Sequence, residues 1–291
     1  MSFFSAGRGW KGALIGLTLG TLIKLGGAVA GVTYVMSETD QPIIPDISVE
    51  PLSLVPEGLV TADQRRHIED QTDALNALAR QAFDAAGQEY RPMAVILYSH
   101  DTRVLCGGQL AEGMVLDGGQ SRGCASTEFA EGPYYCPETG AVYLDADMLQ
   151  SLEFSLGDIG TFANTYVLAH QAAHHTQSLR HLLRQIRNRG TIATQAEMDD
   201  LNLRLELQAD CYAGAWVSHT AGDFILSEPD ILLALESVAQ RGEDMLARQS
   251  DTLSVPDAMA HGTQEQREHW FLRGYYAGDV AVCTTFNTTG L

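Results

Sequence analysis

Basic residues are scarce in this sequence, which limits the partners that the chain can bind. Lysine and arginine together number 18 among 291 residues, against 37 acidic residues, giving a formal net charge of −19 at pH 7. The two lysines, Lys11 and Lys24, both lie near the N-terminus. Because binding to nucleic acid requires a basic surface that neutralises phosphates, this composition argues against a nucleic acid partner. The acidic excess indicates a solvated surface instead.

One stretch near the N-terminus lacks charge almost completely. Residues 12–36 form an apolar run, interrupted only by Lys24, that is long enough to cross a bilayer as a helix. A lysine at mid-span costs about 2.5–3.5 kcal/mol, which the surrounding leucines and isoleucines partly offset. Because Arg8 and Lys11 precede the run and acidic residues follow it, we expect residues 1–11 in the cytoplasm and the main domain outside. A cleaved signal peptide is the alternative, and it would export the domain as well.

Proline is concentrated in a single segment. Residues 37–60 hold four of the nine prolines, which predicts an extended, semi-rigid spacer after the apolar run. Residues 100–137 show no steady period and are rich in glycine and cysteine, so they are predicted to form a long loop.

Periodic patterns fill the rest of the chain, residues 61–291. A helical period begins at Thr61 and ends before Gly87. Short apolar runs predict buried strands at 93–98 and 141–144. Further helical periods cover about 158–189, 195–219, 229–248 and 263–277. The predicted domain is therefore α+β, mostly α, with a small sheet first.

Two histidines in the helix predicted from residue 158 suggest a metal site. His170 and His174 follow an apolar stripe at three- and four-residue spacing, so both side chains should point toward the core. Two imidazoles one helical turn apart can bind the same metal ion. Nine histidines placed at random would give about 0.3 such pairs, so the spacing alone is a weak signal.

The next helix places two carboxylates on an otherwise apolar face. Glu206 and Asp210 lie one turn apart among leucines and alanines, and buried carboxylates are costly unless they are paired or bind a metal. Glu206 would complete a His₂Glu zinc site, while Asp210 would accept a hydrogen bond from the outer N–H of a ligand histidine. The alternative is that these are hydrogen-bonded core residues and surface acids without a metal.

Four segments of the sequence resemble a known family. They are Gly132–Pro137 with Val142–Asp145, His170–His175, Glu206–Gly214 and His261–Arg267. In this order they resemble the bacterial YpfJ-like neutral zinc metallopeptidase family, over about residues 60–286. The resemblance implies a zincin-like fold, Zn²⁺ bound by His170, His174 and Glu206, and a peptide or protein as substrate. With the apolar run, it implies a single-pass protein of the bacterial inner membrane whose C-terminal domain lies in the periplasm or otherwise outside the cytoplasm.

The sequence departs from the family motif at one position. The family has H-E-x-x-H, in which the glutamate takes a proton from water, whereas this chain has Gln171. An amide can hydrogen-bond water but cannot take its proton, and general-base catalysis is worth about 10²–10⁴ in rate. His175 cannot replace it, because it lies 100° around the helix from His174. We therefore expect either a weakened peptidase or a non-catalytic pseudopeptidase that binds zinc together with peptides or partner proteins. A structural envelope protein without metal is a third reading.

His261 is a further candidate for the active site. A histidine close to a His₂Glu zinc site could stabilise an oxyanion. However, Thr263 and Gln266 form a capping box for the last helix, so helix initiation alone would also account for this segment.

Five cysteines are expected to form two disulfides. Because the predicted export places the domain in an oxidising compartment, we expect Cys211 and Cys283 to form a disulfide. The separation of Cys124 and Cys136 resembles that in the family and favours a second pair. Cys106, which also has a family-like context, would then remain unpaired.

Overall fold

The computed structural model describes a mostly helical domain that lies within one unit, Ser37–Leu291. The described residues are 53–55, 58–99, 104–105, 108–109, 132–137, 139–190, 192–220, 226–249, 261–289 and 291. The membrane span predicted at 12–36 and most of the predicted spacer lie outside them and stay predictions. Within the described ranges, no helix is both long enough and apolar enough to cross a membrane.

The strands form one small mixed sheet and a separate short hairpin. In chain order they are β1 Ser53–Leu54, β2 Ala94–Tyr98, β3 Val104–Leu105, β4 Gly108–Gln109, β5 Tyr134–Cys136 and β6 Ala141–Asp145. The sheet has the order β1-β2-β6-β5. Strand β2 runs parallel to β1 and β6, whereas β5 is antiparallel to β6, pairing Tyr134 with Tyr143. Strands β3 and β4 pair only with each other among the described residues.

The helices follow the sheet and make up most of the domain. They are α1 Ala62–Ala85, α2 Ala146–Leu156, α3 Asp158–Leu179, α4 Leu182–Arg189, α5 Gln195–Thr220, α6 Glu228–Gln249 and α7 Gln264–Ala277. Thr61 and Thr263 begin α1 and α7 with capping boxes, in which each threonine hydroxyl accepts from the backbone N–H three residues later. The predicted architecture, mostly α with a small sheet, is confirmed.

Three local predictions were wrong. The loop predicted at 100–137 contains strand β5, which pairs with β6, and the β3–β4 hairpin, because strand pairing stabilises segments too short to show a period. Helix α2 was not expected, although Asp145 begins it by accepting hydrogen bonds from two backbone N–H groups. The single helix predicted at 158–189 is divided in two, because His181 takes the left-handed conformation, with φ at 63°.

Helices α3, α5 and α7 position the candidate site. Helix α3 is buried along most of its length and packs against α1, α2, α5 and α6. Helices α5 and α7 cross at very close range through two glycines. A Cβ on Gly214 would lie 2.0 Å from the Phe271 carbonyl oxygen, and one on Gly274 would lie 1.9 Å from the Cys211 carbonyl oxygen. This close crossing brings the start of α7 near the inner face of α5.

Candidate metal centre

Two imidazole nitrogens from one face of α3 meet in the interior. The Nε2 atoms of His170 and His174 lie 3.1 Å apart. Both rings are nearly enclosed, with 8% and 12% of their side-chain surface exposed. The one-turn spacing read from the sequence therefore produces a convergent pair of nitrogens.

Glu206 on α5 adds a carboxylate oxygen to this pair. Its Oε2 atom lies 3.2 Å from His170 Nε2 and 3.6 Å from His174 Nε2. Ligands at zinc distances of 2.0–2.2 Å in a tetrahedron would be separated by about 3.3–3.6 Å. All three donor atoms lie within 4.8 Å of one another, and no other group of this kind occurs in the described part of the chain. The donor set and its spacing therefore fit a zinc ion.

The outer nitrogen of each ring faces an acceptor. His170 Nδ1 lies 2.8 Å from Asp210 Oδ1, and His174 Nδ1 lies 2.9 Å from Gln177 Oε1. With the proton on each Nδ1, both Nε2 lone pairs and the Glu206 carboxylate face one point, where a metal cation or, without one, an added proton on an imidazole offsets their repulsion. Burial lowers the pKa of His170, but the carboxylates of Asp210 and Glu206 outweigh it and raise that pKa to about 9. Burial opposes ionisation of Glu206, yet the imidazoles around it hold its pKa well below the usual range.

Asp210 is buried and fully paired. Its Oδ1 accepts from the Tyr166 hydroxyl at 2.6 Å as well as from His170, and its Oδ2 accepts from Arg267 Nε at 3.2 Å. Arg267 also donates to the Tyr166 hydroxyl, at 2.6 Å. Burial would raise the pKa of Asp210, but Arg267 and His170 lower it to about 2. Sequence reasoning identified Asp210 but missed the roles of Tyr166 and Arg267, which depend on contacts between three helices.

Gln171 and His261 lie beside the three donors. Gln171 directly follows His170, is partly buried, and forms no side-chain hydrogen bond with any residue that the structure describes. His261 Nδ1 lies 2.9 Å from Glu206 Oε2, with half of its side-chain surface exposed, and the Glu206 carboxylate raises its pKa. The structure therefore brings His261 to the site, although its segment also begins α7 through the predicted capping box.

His175 points away from the three donors. Its Nε2 donates to the Arg91 carbonyl oxygen at 2.7 Å, so its Nδ1 accepts from the Tyr135 hydroxyl at 3.2 Å. Burial lowers the pKa of His175 to about 4, which keeps the ring neutral. This residue anchors α3 to the chain before β2 and to β5, and it does not contribute to the metal centre.

A disulfide holds the C-terminal segment against α5. Cys211 and Cys283 are bonded, with Cα atoms 5.6 Å apart. Cys136 is also disulfide-bonded. Cys106 and Cys124 lie outside the described residues, so the pairing of Cys124 with Cys136 stays a prediction.

Comparison with known proteins finds a matching family model and several relatives. A family model described as "Putative neutral zinc metallopeptidase" matches residues 111–286. The uncharacterized protein YpfJ of Escherichia coli K12 is 38% identical over 206 residues, which cover 71% of this chain and 66% of YpfJ. The uncharacterized protein Rv2575 of Mycobacterium tuberculosis is 35% identical over 180 residues, covering 58% of this chain and 60% of the relative. The chain thus spans 60–66% of the length of these relatives, less than two thirds. No solved structure matches it.

Proposed function

This chain belongs to the neutral zinc metallopeptidase family, and we propose that it binds one zinc ion through His170, His174 and Glu206 and acts on peptides or proteins outside the cytoplasm. The observation that carries the proposal is the convergence of these three donor atoms within 4.8 Å. When bound, zinc supplies a Lewis acid that activates water and polarises a carbonyl group. A zincin-like fold is part of the same proposal.

The residues around the donors would have separate roles in holding the ligands and contacting the substrate. Asp210 holds His170 with Nε2 directed toward the metal, and Arg267 keeps Asp210 ionised. Gln171 has an amide without a described partner, so it can hydrogen-bond a water molecule or a substrate carbonyl. It cannot accept a proton, which is the role of glutamate at this position in H-E-x-x-H. The half-exposed ring of His261 can donate a hydrogen bond to a substrate oxygen.

Gln171 also favours a second candidate function. With donors that fit zinc and an amide in place of the proton acceptor, the site suits a non-catalytic zinc-binding pseudopeptidase that captures peptides or partner proteins. Both functions use the same metal centre and differ only in turnover.

We further propose that residues 12–36 anchor the chain in the bacterial inner membrane and that the domain lies in the periplasm. The uncharged run, the basic residues before it and the acidic residues after it support this topology. The Cys211–Cys283 disulfide is consistent with an oxidising compartment. Net charge of −19 argues against nucleic acid as a partner.

Metal analysis of the purified chain tests the zinc site. We expect one equivalent of zinc in the natural protein and in a Glu236→Ala control, in which a carboxylate on α6 is removed. Glu206→Ala should lose the metal in chelator-treated buffer. Equimolar zinc retained by Glu206→Ala would contradict the proposed ligand set. Cleavage of a peptide library by the zinc-loaded protein then separates the peptidase from the pseudopeptidase.

A further inference from the structure

Gln177 is a buried amide that contacts a proposed metal ligand. It lies one turn after His174 on α3, and only 1% of its surface is exposed. Its Oε1 lies 2.9 Å from His174 Nδ1. Its Nε2 lies 2.9 Å from the Leu205 carbonyl oxygen and 3.2 Å from Gln208 Oε1, both on α5. The Gln177 amide thus contacts three polar groups through its oxygen and its nitrogen. Neither the spacing of the histidines nor the family resemblance identified this residue.

The orientation of this amide is determined by its neighbours. A backbone carbonyl oxygen can only accept a hydrogen bond, so the group that faces Leu205 must be the NH₂ of Gln177. Gln208 is oriented in the same way, because its Nε2 donates to the Cys283 carbonyl oxygen at 3.3 Å. Its Oε1 is therefore directed at Gln177 as a second acceptor. Reversing the Gln177 amide would place its oxygen against two acceptors at once.

The fixed amide orientation determines which nitrogen of His174 carries a proton. With Oε1 of Gln177 facing the ring, His174 must donate from Nδ1, which leaves the Nε2 lone pair for the metal. We propose that Gln177 is a positioning residue that holds His174 in this tautomer and ring orientation, with Gln208 and the Cys283 carbonyl as its outer support. This inference rests on the proposed function, because the tautomer of His174 matters for metal binding only if His174 is a zinc ligand. Asp210 gives His170 the same arrangement with a carboxylate, so the two histidines are held by different chemistry.

The outer support connects the metal centre to the C-terminal segment. Cys283 is bonded to Cys211 on α5, so the carbonyl that orients Gln208 is itself held in place by a disulfide. The Leu205 carbonyl also orients Gln177. Loss of the outer support should therefore weaken the hold on His174 less than loss of Gln177 itself.

Three variants of the full chain test the proposal. Gln177→Met keeps the size of the side chain and removes the acceptor. Gln177→Glu keeps an oxygen that can face His174. Gln71→Met is the matched control, because Gln71 is also a buried glutamine but lies on α1. Two measurements apply to each protein: the tautomer of His174 by ¹⁵N NMR of the metal-free protein, and the zinc dissociation constant by competition with a chromophoric chelator.

We expect the natural protein and Gln71→Met to show His174 protonated on Nδ1. Gln177→Met should lose this preference and bind zinc about 10–100-fold more weakly. Gln177→Glu should recover the Nδ1 preference and most of the zinc affinity, because one oxygen still faces His174. Both Gln177 variants should be destabilised, since neither donates to the Leu205 carbonyl, and in Gln177→Glu the second oxygen faces two acceptors. A merely structural role would lower stability without changing the tautomer.

Two outcomes would overturn the proposal: a proton on Nε2 of His174 in the natural metal-free protein, or a zinc affinity of Gln177→Met equal to that of Gln71→Met. If the natural protein binds no zinc, the proposed function fails, whereas the NMR measurement still decides whether Gln177 sets the tautomer.

Discussion

Replacing Gln171 with glutamate is the most direct test of how this site works. The change places a carboxylate directly after a proposed zinc ligand, where the H-E-x-x-H motif has its proton acceptor. Glutamine and glutamate are nearly the same size, and the Gln171 amide forms no hydrogen bond with the described residues that the change would break. Folding and zinc affinity should therefore change little, so a change in rate can be assigned to proton transfer.

The expected gain follows from that single role. General-base catalysis contributes about 10²–10⁴ in rate, which corresponds to about 2.7–5.4 kcal/mol of the activation barrier. Three further features that the proposed function uses are already in place: the three donor atoms, the paired Asp210 and the half-exposed His261. We therefore expect Gln171→Glu to raise kcat/KM on peptides by at least about 100-fold.

The assay compares cleavage of a peptide library by zinc-loaded natural protein, Gln171→Glu and a Gln185→Glu control. The control adds the same charge on α4, outside the metal centre. If the natural protein cleaves at ordinary rates and Gln171→Glu changes nothing, another group accepts the proton and the reasoning about Gln171 is wrong. If both proteins bind zinc and neither cleaves, the pseudopeptidase function is favoured.

Three more predictions concern the support of the site, each measured by chemical denaturation. Gly274→Ala should lower the free energy of unfolding by about 1–3 kcal/mol or more, because its Cβ would lie 1.9 Å from the Cys211 carbonyl oxygen. Unchanged stability would contradict the close crossing of α5 and α7. Replacing Cys211 and Cys283 by alanine should lower the free energy of unfolding by about 2–4 kcal/mol, since the disulfide spans 72 residues. An unchanged denaturation midpoint would contradict a stabilising disulfide. Asp210→Asn should lower the free energy of unfolding by about 3–5 kcal/mol, because Arg267 loses its charged partner. Zinc titration of this variant should show about 10–100-fold weaker binding, and unchanged affinity would contradict a positioning role for Asp210.

The sequence alone determined the features that depend on residues within one or two turns of each other. The helix that begins after Thr61 and the capping box at Thr263 and Gln266 involve side chains three residues from the groups they bind. The convergence of His170 and His174 follows from helical geometry alone. Glu206 was selected as the third donor from its place on an apolar face of the next helix, and the family resemblance agreed with that choice.

The tertiary structure decided everything that depends on contacts between distant segments. Strand β5 exists because β6 pairs with it, and the left-handed residue His181 divides a helix that the apolar pattern predicted to continue. Gln177 gave no signal in the sequence, because its role depends on a carbonyl of Leu205 on another helix. Likewise, His261 reaches Glu206 only because α5 and α7 pack closely. Local hydrogen bonds and periodicity can be read along the chain, whereas a side chain's partner across a helix interface is fixed only when the whole core packs.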